Sequence, residues 1–170
     1  MFSAVALAEV IEDMTDAKVG IKWVNDLFLG GKKLAGILAE GGFSEDGKGF
    51  EYAVVGIGIN LHGYALAPEI EGIATTLERE CGKRVDIADF AKRLAKKLSE
   101  FEKRDRNDYM AGYRSRSVIV GGRVRMTSAG NEFFADILEI EDNGAIKVRL
   151  DSGEIKSFNS GEVSVIYNKT

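Results

Sequence analysis

The spacing of apolar residues changes character near Val118, and that change limits what this chain can fold into. Over residues 86–101, Ile87, Phe90, Ala91, Leu94, Ala95, Leu98 and Phe101 fall on one stripe at helical spacing, and 107–116 carries Tyr109, Met110 and Tyr113 inward in the same way. From residue 118 the pattern alternates instead. Segments 118–120, 123–127, 132–140, 145–150, 154–158 and 163–167 read as short strands, separated by Gly121-Gly122, Asn143-Gly144, Ser152-Gly153 and Ser160-Gly161. A small β-barrel over residues 118–170 is therefore expected behind a domain over 1–117 that combines helices and strands.

The first domain opens on a helix. Val5, Leu7, Ala8, Val10, Ile11 and Met14 line one side of residues 1–14, with acids on the rest, which predicts a helix lying on a sheet beneath Ile21 and Trp23. The run 19–23 then meets the polar pair Asn25-Asp26, and a second apolar run breaks at Gly30-Gly31 before Lys32-Lys33 lead into 34–39. That order reads as strand, corner, strand, hairpin turn, strand. A polar loop over 44–49, expected to be mobile, precedes a strong strand at 50–59, and 75–81 reads as a short helix with Thr75 or Thr76 at its start and Gly82 after its end. The fold class is α+β: a mixed sheet with packed helices, followed by the barrel.

Composition narrows the function. With 27 acidic against 23 basic side chains the formal charge is -4, which disfavours nucleic acid as a partner. No apolar run approaches the ~20 residues that span a bilayer, and Glu9, Glu12 and Asp13 interrupt the start where a signal peptide would be apolar, so a cytoplasmic chain with no membrane contact is expected. The single Cys81 and single His62 build neither an internal disulfide nor a zinc site. The basic residues from Lys92 to Arg106 interleave with acids and read as a solvated face.

Chemistry is expected in residues 22–40, where polar groups stand between apolar flanks. Asn25 donates and accepts, Asp26 is a carboxylate, and the Lys33 ammonium stands at the mouth of a strand, an arrangement that suits an anionic ligand. Gly36 removes a side chain within that strand, which marks a bulge or the close approach of a ligand. The same residues also fit a plain turn and a solvated hairpin tip. In Gly56-Ile57-Gly58-Ile59-Asn60 the glycines admit a ligand to the backbone, and Asn60 can bond a base or ribose. A dinucleotide-binding fingerprint would need a third glycine and a helix opening directly from the loop.

Lys22-Trp23-Val24-Asn25-Asp26-Leu27, followed by Lys33-Leu34-Ala35-Gly36-Ile37-Leu38-Ala39-Glu40, resembles the signature of the biotin protein ligases, and Gly56-Ile57-Gly58-Ile59-Asn60 resembles their second motif. Val24 replaces the usual proline, which predicts a looser corner at Asn25 and Asp26. Ser160-Gly161-Glu162-Val163-Ser164 is similar to the closing segment of the family's C-terminal SH3-like module.

The resemblance implies a partial catalytic domain over 1–117 and an SH3-like domain over 118–170. It implies an ATP-dependent ligase that joins biotin to the α-phosphate of Mg-ATP and passes it from biotinyl-5'-adenylate to a lysine of a biotin carboxyl carrier protein. Lys33 and Asp26 would be catalytic: Lys33 bridges the two anions, and Asp26 assists deprotonation of the carrier lysine or holds Mg through water. Lys22, Trp23, Asn25, Gly36, Ile37, Gly58 and Asn60 would bind adenylate and biotin, with no metal ligands in the chain itself. The family's Gly-Arg-Gly-Arg-x-Gly-Arg biotin loop has no counterpart in residues 1–170, so a complementary N-terminal ligase half or a homodimer is expected to complete the site, an open sheet edge offering the place. A non-catalytic nucleotide- or carrier-binding subunit is the alternative from another class, and a lipoate-ligase-like enzyme a weaker one.

Overall fold

The computed structural model describes residues 1–44, 49–63 and 66–165. Helix α1 (Phe2–Thr15) leads into strands β1 (Gly20–Lys22), β2 (Asp26–Leu29), β3 (Lys32–Phe43) and β4 (Phe50–Ile59). Helices α2 (Leu77–Cys81), α3 (Ile87–Phe101) and α4 (Arg106–Ser115) follow, then strands β5 (Arg123–Ser128), β6 (Asn131–Ile140), β7 (Ile146–Leu150), β8 (Ile155–Phe158) and β9 (Glu162–Val165). The first four strands form one sheet in chain order, and the last five a second in the order β8-β7-β6-β5-β9.

Both sheets are antiparallel throughout, not mixed as expected. Consecutive strands joined by short connections can only run antiparallel, since a parallel pair needs a crossover of a dozen or more residues. Parallel pairing enters through two isolated bridges, Ile21 with Ser117 and Lys33 with Ala74. The expected barrel is an antiparallel sheet that, among the described residues, shows no pairing between β8 and β9. Residues 118–120 form no strand. The backbone of residues 118–121 ties the two sheets together instead: Val118 N–H donates to Ile21 O at 3.0 Å and Gly121 N–H to Ile137 O at 2.9 Å. Gly41 and Gly42 belong to β3, pairing with Ala53 and Tyr52, and residues 45–48 of the expected loop lie outside the described residues.

The helix ends follow local chemistry. Thr76 caps α2 by accepting from Arg79 N–H, and Gly82 closes it in the left-handed region at φ 64°, where a Cβ is disfavoured. Asp86 caps α3 through Asp89 N–H, and Asp105 caps α4 through Asn107 N–H. Helix α1 is buried nearly all round over Ser3–Ala8, because α3 and α4 cover the side that the sheet does not. Its acids then become docking groups: Glu12 Oε2 takes Arg116 Nη2 at 2.7 Å, and Glu9 takes Lys97 at 3.3 Å. Part of the basic face of α3 thus holds that helix to α1. Its apolar stripe is buried at Phe90 and Phe101 but open at Ile87, 60% exposed, because α3 meets a helix and not the sheet. Among the described residues no helix is long and apolar enough to cross a membrane.

Candidate active site

Strand register builds the site. β1 and β2 pair Lys22 with Asp26 across the corner, and β2 and β3 pair Asp26 with Gly36. A register shift between Leu27 and Phe28 sets Lys33 opposite Phe28, so the lysine can swing back along its own strand. Lys33 Nζ reaches Asp26 Oδ1 at 2.6 Å, and Lys22 Nζ stands 3.8 Å from Asp26 Oδ2. The carboxylate is therefore flanked by two ammonium groups, with Lys33 45% exposed toward solvent.

Gly36 lies directly beneath this pair: a Cβ there would sit 3.4 Å from Lys33 Nζ and 3.5 Å from Asp26 Oδ1, in contact with both and occupying space beside them. Gly36 pairs with Gly58, and Leu38 with Gly56. A Cβ on Gly58 would meet only Gly36 O, at 3.9 Å, so the sheet beside Lys33 is bare backbone that a flat ligand can approach.

Not every residue expected at the site faces it. Trp23 is 2% exposed, and its indole N–H donates to Gly144 O at 2.9 Å in the hairpin between β6 and β7. Ile37 is 8% exposed and belongs to the core; what it offers is backbone, accepting from Asn25 Nδ2 at 2.5 Å and donating to Asn25 O at 3.0 Å. Trp23, Asn25 and Ile37 thus hold the corner, while Lys22, Asp26 and Lys33 converge over Gly36 and Gly58. The corner beside Val24 is held firmly: Tyr113 Oη donates to Val24 O at 2.9 Å. Burial, with the Asp26 charge adding to it, pushes that phenol well above its ordinary value, so it remains a donor.

Asn60 follows the end of β4 and does not line the cleft around Lys33. Its N–H donates to Leu34 O at 3.0 Å and its side-chain amide to Thr75 O at 3.2 Å. A cleft of about 400 Å³ is lined by Lys22, Asp26, Phe28, Lys33, Ile73 and, from the second sheet, Glu162 and Ser164 of β9. The sequence pointed to β9 only as a closing segment; its place in the cleft depends on packing that no local pattern encodes.

Mg fits poorly as a resident ion of this chain. Among the described residues no group of three or more His, Cys, Asp or Glu is placed to hold a metal, and Asp26 is already engaged by two lysines. A magnesium ion accompanying ATP would arrive as part of the substrate, keeping several of its waters.

Glu78 accepts from Gly63 N–H at 2.9 Å and from Arg84 at 3.2 Å. The Gly63 N–H, then Arg84, hold its carboxyl below the ordinary value of 4.5 against the opposing effect of burial. A carboxylate whose folded value is depressed contributes stability that is fully present above its unfolded value and lost as pH falls through its folded one. Acid titration of the melting temperature should therefore show Glu78→Gln less stable than the parent above pH 4.5, with the gap narrowing below it. A gap that stays constant into acid would sink this account.

Comparisons with known proteins place the chain among biotin protein ligases. A family model described as Biotin/lipoate A/B protein ligase family matches residues 1–60, and one described as Biotin protein ligase C terminal domain matches 119–165. The bifunctional ligase/repressor BirA of Bacillus subtilis is 30% identical over 175 residues, covering 97% of this chain and 52% of its own length. The biotin–[acetyl-CoA-carboxylase] ligase of Paracoccus denitrificans is 32% identical over 148 residues, covering 81% of this chain and 59% of its own. The solved biotin protein ligase from Aquifex aeolicus, in complex with biotin and ATP, superimposes with a TM-score of 0.78 at 25% identity over 98% of this chain and 69% of that one. The chain spans about half the length of the curated relatives it matches.

Proposed function

We propose that this chain, which belongs to the biotin protein ligase family, carries the adenylate-forming and transfer site of an ATP-dependent biotin–protein ligase. The observation that supports this most is the Lys33–Asp26 pair standing over the bare backbone of Gly36 and Gly58. In the first step a carboxylate oxygen of biotin bonds to the α-phosphorus of ATP while the bond to the bridging oxygen breaks, releasing pyrophosphate. The barrier is largely the approach of two anions, so a cation placed between them should supply most of the chain's contribution. Lys33, half exposed and with its side chain paired to Asp26, exchanges that carboxylate for the incoming carboxylate and phosphate.

In the second step the ε-amine of a carrier lysine attacks the biotinyl carbonyl, and AMP leaves. Asp26, released by Lys33, takes a proton from the carrier ammonium to free the attacking amine, while Lys22 keeps the local charge positive. The glycine floor takes the adenylate, and Asn60 faces the nucleotide. We divide the chain at 117/118 and take the second sheet as an SH3-like module, a reading supported by the family match over 119–165. The carrier is a biotin carboxyl carrier protein in the cytoplasm. The edge strand β4, with Tyr52 60% and Val54 58% exposed beside Leu38 at 61%, is where a second copy or a complementary ligase half would join the sheet.

Titration calorimetry of the purified chain with ATP, biotin and a non-hydrolysable biotinyl-adenylate analogue tests the reading. Saturable binding of the analogue, lost in Asp26→Ala/Lys33→Ala, is the expected result. An analogue that binds neither the chain nor the chain with a complementary half would overturn it.

A further inference from the structure

We infer that the segment from Ile73 to Glu78 acts as a positioning clamp that sets Asn60 relative to Lys33, with Thr76 and Glu78 as its fixing residues. The inference rests on the nucleotide-facing role proposed for Asn60. At one end the segment pairs with Lys33: Lys33 N–H donates to Ile73 O at 2.9 Å, and Thr75 N–H to Lys33 O at 2.9 Å. At the other it grips the chain leaving β4, where Leu77 N–H donates to Asn60 O and Glu78 N–H to Leu61 O, both at 2.9 Å. The Asn60 side-chain amide is itself bonded to Thr75 O.

Two side chains complete the grip. The Thr76 hydroxyl donates to Gly63 O while accepting Arg79 N–H at 3.1 Å, using donor and acceptor together. Glu78 takes Gly63 N–H, and Arg84 Nη1 stands 3.2 Å from each of its oxygens. Thr75, Thr76 and Glu78 are 0%, 1% and 6% exposed. Buried polar groups are retained where they are bonded: Thr76 and Glu78 both bond Gly63, three residues past Asn60, and the Thr75 hydroxyl donates to Glu80 at 2.6 Å. The lysine and the asparagine sit on different strands, yet a single short segment fixes the backbone of both.

The test uses Thr76→Val, which keeps shape and loses the hydroxyl, with Thr76→Ser as the conservative rescue and Glu78→Gln as an independent variant should valine prevent folding. Affinities for an ATP analogue and for biotin are measured by calorimetry, and amide exchange is followed at residues 60–63. The expected result for Thr76→Val and Glu78→Gln is nucleotide affinity down about 10-fold, biotin affinity within about twofold, and faster exchange at 60–63, with Thr76→Ser close to the parent. Equal loss of both ligands, or unchanged exchange at 60–63, would overturn the clamp alone. A parent chain that binds no nucleotide, alone or with a complementary half, while exchange in the variants still rises would overturn the nucleotide reading of Asn60, and the clamp's function with it.

Discussion

Replacing Lys33 by alanine should leave the protein folded and lower adenylate formation by roughly 100-fold or more, the usual cost of removing one group aimed at developing charge. The fold should survive because Lys33 is 45% exposed and its side chain contacts Asp26 at the surface, where an ion pair contributes about 0–1 kcal/mol. Its backbone bonds to Ile73 and Thr75 do not depend on the side chain. Arginine should not rescue. Its planar fork is longer than the ammonium it replaces and would meet Asp26 bidentately, fixing in place the partner that Lys33 must be free to leave. Pyrophosphate release from ATP in the presence of biotin, measured on the chain together with whatever completes the site, gives the rate, and a thermal melt gives the fold. Turnover within a few-fold of the parent in a folded Lys33→Ala protein would remove Lys33 from the mechanism.

Trp23→Ala should destabilise the whole chain by about 3–5 kcal/mol, the range for emptying a buried aromatic site. The indole is 2% exposed and is among the largest fully enclosed side chains, lying with Ile21, Leu27 and Leu34 in the core. Its N–H is the link from the corner to Gly144 O, so the loss also leaves a buried carbonyl without its donor. Trp23→Phe separates the two effects. It keeps most of the volume and should cost about 1–3 kcal/mol, the penalty for an unsatisfied buried polar group together with the smaller ring. Chemical denaturation checks both, and a Trp23→Ala cost below about 1 kcal/mol would mean that the indole is not seated against Gly144. If Trp23 touched ligand instead, Trp23→Phe would change binding more than stability.

The contrast between these two residues shows what the sequence discloses and what it withholds. Asp26 and Lys33 stood out as polar groups between apolar flanks beside the Gly30-Gly31 turn, and Lys22 through the family resemblance; the strand register places the three side by side. Gly82, and Thr76 as one of two candidates, were legible because caps are chemistry between near neighbours. Trp23 and Ile37 were expected at the ligand because they stand within the same motif. Alternation separates faces, but which face turns to the core depends on α1, and the partner of the Trp23 indole stands in a hairpin of the other sheet. Residues 118–120 carry β-branched side chains that favour a strand, yet Val118 bonds the first sheet and the following Gly121 the second, and tertiary bonding overrode propensity. Glu162 and Ser164 lie beyond any window that includes Lys33, so nothing local could place them in its cleft.

That doubly bonded connector has a consequence for how the cleft can work. To widen the gap between β9 and Lys33 the second sheet would have to peel its connector from Ile21 on one side or from Ile137 on the other, while the Trp23 indole holds Gly144. The two walls are therefore joined through these three bonds, two of them from one short connector, and form a single slot. Any group that reaches Lys33 enters such a slot by its own length, so one borne on a narrow projection passes where one set in a broad flat surface is turned away.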